Sequence, residues 1–266
     1  MKLCPRKVDR KLILYGYGTL GRLAEEVFNE LKIPIYLIVD HTNQAAIKKG
    51  IKESSLIAVC VASEPYLPIA GQLEKDGWKD VMPVYDIIMA YPEIGITNGW
   101  FSGKDTEEDC ENIIFVNGNF DFDSQWHYLI FRKWHQYRKE YELDIEPRPS
   151  LPSTLADIRA RQRVAIWPNQ SFRHPAPYMI HAEGCELKTL EENIKIFQSR
   201  RPVLEVACYH SRDGLWKIPK YLMDNLKDYR FTFRLHCYMG TGAYLYCTPE
   251  EKYENNKDYK TKDRIS

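Results

Sequence analysis

No excess charge of either sign marks this chain: 37 lysines and arginines meet 37 aspartates and glutamates, for a formal net charge of zero. A neutral chain lacks the field that would draw it onto nucleic acid or an anionic membrane, so neither is expected as a partner. Long apolar runs are also missing. The longest, IPIYLIV at 33–39 and LIAVCVA at 56–62, fall far short of the roughly 20 residues of a membrane span. The start MKLCPRKVDRKLILYGYG is basic, but its apolar run is short and leads into glycines, so it reads as a first strand and not a signal peptide. No CxxC pair occurs. The seven cysteines (4, 60, 110, 185, 208, 237 and 247) are odd in number and widely spaced, with Cys60 and Cys208 inside apolar runs. This excludes a disulfide framework and offers no zinc-ligand spacing. A reduced, cytoplasmic protein with no metal is the expectation.

What is present is the composition of a globular protein, 44% hydrophobic and 28% charged over 266 residues, enough for one large domain or two small ones. In KLILYGYGTLGRLAEEVFNELKIPIYLIVD an apolar strand at 11–15 meets Gly16, Gly18 and Gly21 in a GxGxxG turn. Leu20, Leu23, Ala24, Val27, Phe28 and Leu31 then recur at helical spacing, and a second strand at 34–39 ends at Asp40. In this arrangement the glycines permit a tight turn, a close phosphate and close helix packing. The acid after the second strand can hold a ribose hydroxyl. Gly16, Gly18, Gly21 and Asp40 are therefore candidate nucleotide-binding residues; equally, the glycines can serve the turn and packing alone. A strand at 56–62, a helix at 65–76, a strand at 80–84 and a helix at 85–91 complete a Rossmann-like domain over 1–100, with a linker at 101–111.

The second half repeats the alternation. Strands are expected at 112–117, 142–145, 163–167, 178–182 and 202–210, with a closing hairpin from YRFTFRLHCY and AYLYCT. A helix capped by Asp123 or Ser124 presents Trp126, Leu129, Ile130, Trp134, Tyr137 and Tyr141; others follow within 151–162, from 187 and from 213. The fold class is α/β, two Rossmann-like doubly wound units, the second covering 112–249 with an antiparallel end. Residues 250–266 are polar and charged, a disordered tail by composition. Arg159, Arg161 and Arg163 read as a solvated face, and His127 and His135 lack metal-ligand spacing.

One stretch carries a resemblance. HAEGCELKTLEENIKIFQSRRPVLEVACYHSRDGLWKIPKYLMDNLKDYRFTFRLHCYMGTGAYLY, residues 181–246, resembles the C-terminal part of FkbM-family methyltransferases. That family ends its fourth strand in D-x-E-G-x-E, then an aliphatic helix, a strand ending Tyr-His, a D-L-x-x-I-P helix and a Tyr-rich hairpin. Glu183, Gly184, Glu186, Tyr209, His210, Asp213, Leu215, Ile218 and Pro219 match it. LDIEPRP also resembles the family's second-strand motif. Some members carry an N-terminal Rossmann-like domain as well.

The resemblance implies a class I methyltransferase-like sheet and S-adenosylmethionine as cofactor. It further implies O-methylation of a sugar or other small-molecule hydroxyl, with a glycan precursor among the substrates. Glu146 would hold the cofactor's ribose, and Asn117, Gly118 and Asn119 would form its turn. His181 and His210, at neighbouring strand ends, and Glu183 are the candidate catalytic residues. An imidazole titrates in the range a general base needs. Glu186, Arg234 and His236 are candidate substrate-binding residues. Helix-terminus electrostatics would also explain both glutamates, and solvent exposure the basic pair.

Three features depart from the family. Val116 stands at the cofactor acid, His181 replaces the motif aspartate, and the segment between VAIWPNQ and PYMIH is short. They motivate a second reading: a catalytically degenerate relative that binds a sugar nucleotide or a protein partner. An NAD(P)-dependent oxidoreductase ranks third, because no hydride-transfer constellation is recognisable. Homo-oligomerisation is left open.

Overall fold

The structure, a computed structural model, describes residues 5–43, 47–96, 105–137, 145, 154–156, 159, 166–168 and 178–251. The chain divides into two compact units. One comprises Met1–Gly103, Phe131–Ala160 and Leu235–Gly242; the other comprises Lys104–Ile130, Arg161–Arg234 and Ala243–Ser266. Among the described residues no helix is long and apolar enough to cross a membrane.

The first unit holds β1 (Lys11–Tyr15), β2 (Ile35–Val39), β3 (Ser55–Val59) and β4 (Val81–Pro83) in a parallel sheet of order β2-β1-β3-β4. Leu12, Ile13 and Leu14 are all fully buried, because a central parallel strand is covered on both faces. Helix α1 (Thr19–Glu30) buries Leu23, Ala24, Val27 and Phe28, the stripe its periodicity announces. Helices α2 (Lys49–Ser54), α3 (Tyr66–Lys75) and α4 (Val84–Ile88) and a 3-10 turn at Pro92–Ile94 complete the unit's regular elements up to residue 96. Each expected element of this stretch forms, within a few residues of its expected ends. The strand order reverses between β1 and β3, and open sheets bind ligands at such switch points.

The second unit opens on α5 (Glu107–Gly118) and α6 (Phe122–Tyr137), the latter running past Ile130 into the first unit. It continues with β5 (Ile166–Pro168), β6 (Tyr178–Ile180), α7 (Glu186–Arg200), β7 (Leu204–Ala207), α8 (Gly214–Asn225), β8 (Tyr229–Leu235) and β9 (Ala243–Pro249). The sheet is mixed, of order β5-β6-β7-β9-β8. β6 and β7 are parallel, whereas β5 runs antiparallel to β6 and β9 antiparallel to β7. The final hairpin therefore folds its second strand inward against β7.

Residues 112–117 are a correction to the sequence reading: they lie in α5, not in a strand. The reason is local. Thr106 Oγ1 accepts the Asp109 amide at 3.1 Å while Asp109 accepts the Thr106 amide at 2.8 Å, a reciprocal capping box. Glu107, Glu108 and Asp109 put three acids in the first turn, where the helix dipole favours them. Ile113 and Val116, three apart, turn inward, while Ile114 and Phe115 are exposed. A short apolar run fits helix or strand, and the cap decides.

The next helix is also corrected. Asp121 caps it, taking the Ser124 amide at 2.8 Å, in place of Asp123 or Ser124. Its buried face is Ser124, Tyr128, Phe131, Trp134 and His135, with Ile130 beside it, whereas Trp126 and Tyr137 are exposed. The strand expected at 142–145 (residue 145 excepted), Glu146, most of the helix within 151–162 and the tail from 252 lie outside the described residues.

Candidate functional site

The polar strand end read in MIHAEGCE becomes a closed cluster. Strand β6 ends at Ile180, and the chain turns through Glu183 (φ +47°) and Gly184 (φ +102°) before α7 starts at Glu186. Strand β7 runs parallel beside β6 and delivers Tyr209 and His210 to the same edge. His181 Nε2 lies 2.9 Å from Glu183 Oε1, and His210 Nε2 lies 3.4 Å from Glu183 Oε2. Each ring's other nitrogen is anchored: His181 Nδ1 to the Tyr244 hydroxyl at 2.8 Å, His210 Nδ1 to Glu186 Oε1 at 2.6 Å. The two imidazole rings are 4.7 Å apart, centre to centre. Side-chain exposure is only 7% for His181, 8% for Glu183 and 2% for both His210 and Glu186.

Glu186 closes the turn. Its Oε1 also accepts the Ala182 amide at 2.9 Å, and its Oε2 accepts the Gly184 amide at 3.0 Å. Burial alone would push its carboxyl up. The charge of His210 and its hydrogen bond, with backbone donors added, outweigh that and hold the carboxyl below its ordinary value. Glu186 thus braces the site, and Glu183 is the carboxylate aimed between the two rings. Tyr244 was not singled out from sequence. It reaches the cluster because β9 pairs with β7, Tyr244 opposite Ala207, a contact between distant segments.

Arg234 is engaged elsewhere in the second unit. Arg234 Nη1 donates to Ser124 Oγ at 2.7 Å and to the Phe233 carbonyl at 2.8 Å. His236 belongs to the other unit, its amide bonded to the Gly242 carbonyl at 2.9 Å. Beside Arg234 sits Asp121, with Arg230 at 3.4 Å. Burial would raise the Asp121 carboxyl, but its bonds with Ser124 and Arg230 and the charge of Arg234 hold it below its ordinary value. A depressed carboxyl contributes stability above its unfolded pKa and loses it as pH falls through the folded one. Wild-type urea midpoints should therefore fall between pH 5 and pH 3 more steeply than those of Asp121→Asn.

In the first unit, Gly16 has φ +89°, and a Cβ at Gly21 would lie 2.3 Å from the Gly16 carbonyl oxygen, so neither tolerates a side chain. Gly18, by contrast, caps α1 with no atom within 4 Å of a Cβ built there. Open space at a helix N-terminus beside the switch point is what a phosphate would need. Asp40 Oδ1 accepts from the Thr42 amide and hydroxyl and the Asn43 amide, at 2.8, 2.5 and 3.2 Å, so the acid also builds its own turn.

Asn117, Gly118 and Asn119, expected to form the turn that cradles S-adenosylmethionine, lie at a helix end, and Glu146 lies outside the described residues. Asn117 and Gly118 are the last residues of α5 and Asn119 is its C-cap, whose amide bonds back to the Val116 carbonyl at 3.2 Å. No strand precedes them to aim a glycine turn at a ligand. Phe120 is buried in an aromatic cluster, 5.4 Å from Tyr128 and 6.0 Å from Phe233. With Gly118, Asn119, Asp121, Tyr229 and Arg230 it borders an open groove of about 760 Å³.

No protein-family model matches the chain. No curated protein matches it either. Among solved structures, the crystal structure of methyltransferase FkbM from Methylobacillus flagellatus KT is similar, with 12% identity over 90% of this chain and 90% of that chain, at a TM-score of 0.49.

Proposed function

We propose that the second unit is a methyltransferase-type sheet that has given up the S-adenosylmethionine cradle. In this reading its His181, Glu183 and His210 cluster, braced by Glu186, binds a hydroxyl-bearing small molecule, with sugar nucleotides the first class to test. The carrying observation is α5: where the family pattern needs a strand and a glycine turn, Glu107–Gly118 is a capped helix. The resemblance over 181–246 supports a shared origin for the strand edge. The geometry of that edge, acceptors and imidazoles facing one another, supports polar recognition. Gly16, Gly18, Gly21 and Asp40 of the first unit, with the open N-terminus of α1, are proposed to take the phosphate and ribose of a nucleotide.

Calorimetry tests this directly. Millimolar S-adenosylmethionine and its demethylated product should give no heat and no thermal shift, whereas a nucleotide-sugar panel should give a shift that His181→Ala weakens; a separate shift with nucleotide alone should be lost in Gly18→Asp.

The competing reading is S-adenosylmethionine-dependent O-methylation, with His181 as base toward an acceptor hydroxyl. It is favoured by the matched motifs and by Glu146. Saturable S-adenosylmethionine binding, weakened by Glu146→Ala, would establish it over the first.

A further inference from the structure

We propose that His181, Glu183 and His210 form a binding site for a divalent first-row transition ion, with zinc as the reference ion. One donor atom from each residue lies within 4.8 Å of the other two. The Glu183 carboxylate stands between the two Nε2 atoms, at 2.9 and 3.4 Å. Zinc bonds of about 2.0–2.2 Å in tetrahedral array put ligand atoms about 3.3 Å apart, so small side-chain shifts admit the ion. Two imidazoles and one carboxylate suit zinc or iron(II) and not magnesium or calcium, which take oxygen donors.

The outer partners strengthen the assignment. Metal-bound histidines nearly always have the second ring nitrogen held by a carboxylate, carbonyl or hydroxyl, which fixes ring and tautomer. Here Glu186 holds His210 Nδ1 at 2.6 Å and Tyr244 holds His181 Nδ1 at 2.8 Å, leaving both Nε2 atoms to converge. Charge points the same way. Two carboxylates, Glu183 and Glu186, are buried beside two imidazoles. A divalent ion would balance both in place of the protons that charge the rings in its absence. Glu183 is also held at φ +47°, a backbone conformation unfavourable to a non-glycine residue, which aims its carboxylate between the rings. Three protein donors leave a coordination position for water or a ligand oxygen.

The site stands on this geometry and does not depend on which small molecule the protein binds. The full-length protein, stripped with chelator and dialysed, is titrated with zinc chloride, with magnesium chloride as control. The expected result is one zinc per chain by elemental analysis, a raised unfolding temperature, and magnesium binding at least about 100-fold weaker. His181→Asn and Glu183→Gln should each lower zinc affinity at least about tenfold while retaining wild-type circular dichroism. If either variant fails to fold, the wild-type cobalt(II) complex decides. Ligand-field bands without a thiolate charge-transfer band support the site. A thiolate band overturns it by placing the ion on a cysteine. Absence of stoichiometric zinc in wild type, or unchanged affinity in both folded variants, also overturns it.

Discussion

Glu186→Ala is expected to cost about 3–5 kcal/mol, the range for removing one member of a buried, hydrogen-bonded charge pair. The carboxylate is 1% exposed as a residue and serves three donors: His210 Nδ1, the Ala182 amide and the Gly184 amide. Its loss strands all three in a buried site. The turn that presents Glu183 would then lose the two amide bonds that hold its shape. Glu186→Gln keeps an acceptor and most of the volume, so its cost should be nearer 1–2 kcal/mol. Urea unfolding of wild type and both variants at neutral pH measures the difference. A Glu186→Ala midpoint equal to wild type would mean the cluster is not closed as described.

Phe233→Ala is expected to cost a further, independent 3–4 kcal/mol, within the range for emptying a fully buried phenylalanine site. Phe233 is 0% exposed and meets Tyr128 edge-on at 5.3 Å and Phe120 at 6.0 Å. Its amide also donates to Ser124 Oγ at 3.0 Å. The ring therefore ties β8 to the first turns of α6 and to Phe120 in the short connection between α5 and α6. Conservative Phe233→Leu should recover about half of the loss, because it restores most of the buried area but no ring stacking. The readout is the denaturant midpoint at unchanged slope. A cost below 1 kcal/mol would show that the corner relaxes around the cavity. The same corner accounts for Arg234, whose guanidinium is engaged by Ser124 and the Phe233 carbonyl.

The sequence by itself determined the alternating strands and helices of residues 11–91 and the polar strand edge. KLILYGYGTLGRL announces a strand, a turn and a helix because a short apolar run, glycine and 3.6-residue spacing are local properties, and β1 and α1 form where they say. His181, Glu183, Glu186 and His210 were likewise legible as one edge, because parallel neighbouring strands end together. NIIFVN was misread because its apolar residues fit either period, while the capping box lay just upstream at Thr106 and Asp109. That signal was available in the sequence. What only tertiary structure decided is the closure of the site. Tyr244 lies 63 residues from its partner His181, and His210 lies 24 from Glu186. No spacing rule links such pairs; strand order does, by placing β9 against β7. Metal-ligand spacing, read along the chain, was absent for the same reason. The convergence of His181 and His210 on one carboxylate belongs to the sheet, where residues far apart in sequence meet at the price of nothing more than adjacent strand ends.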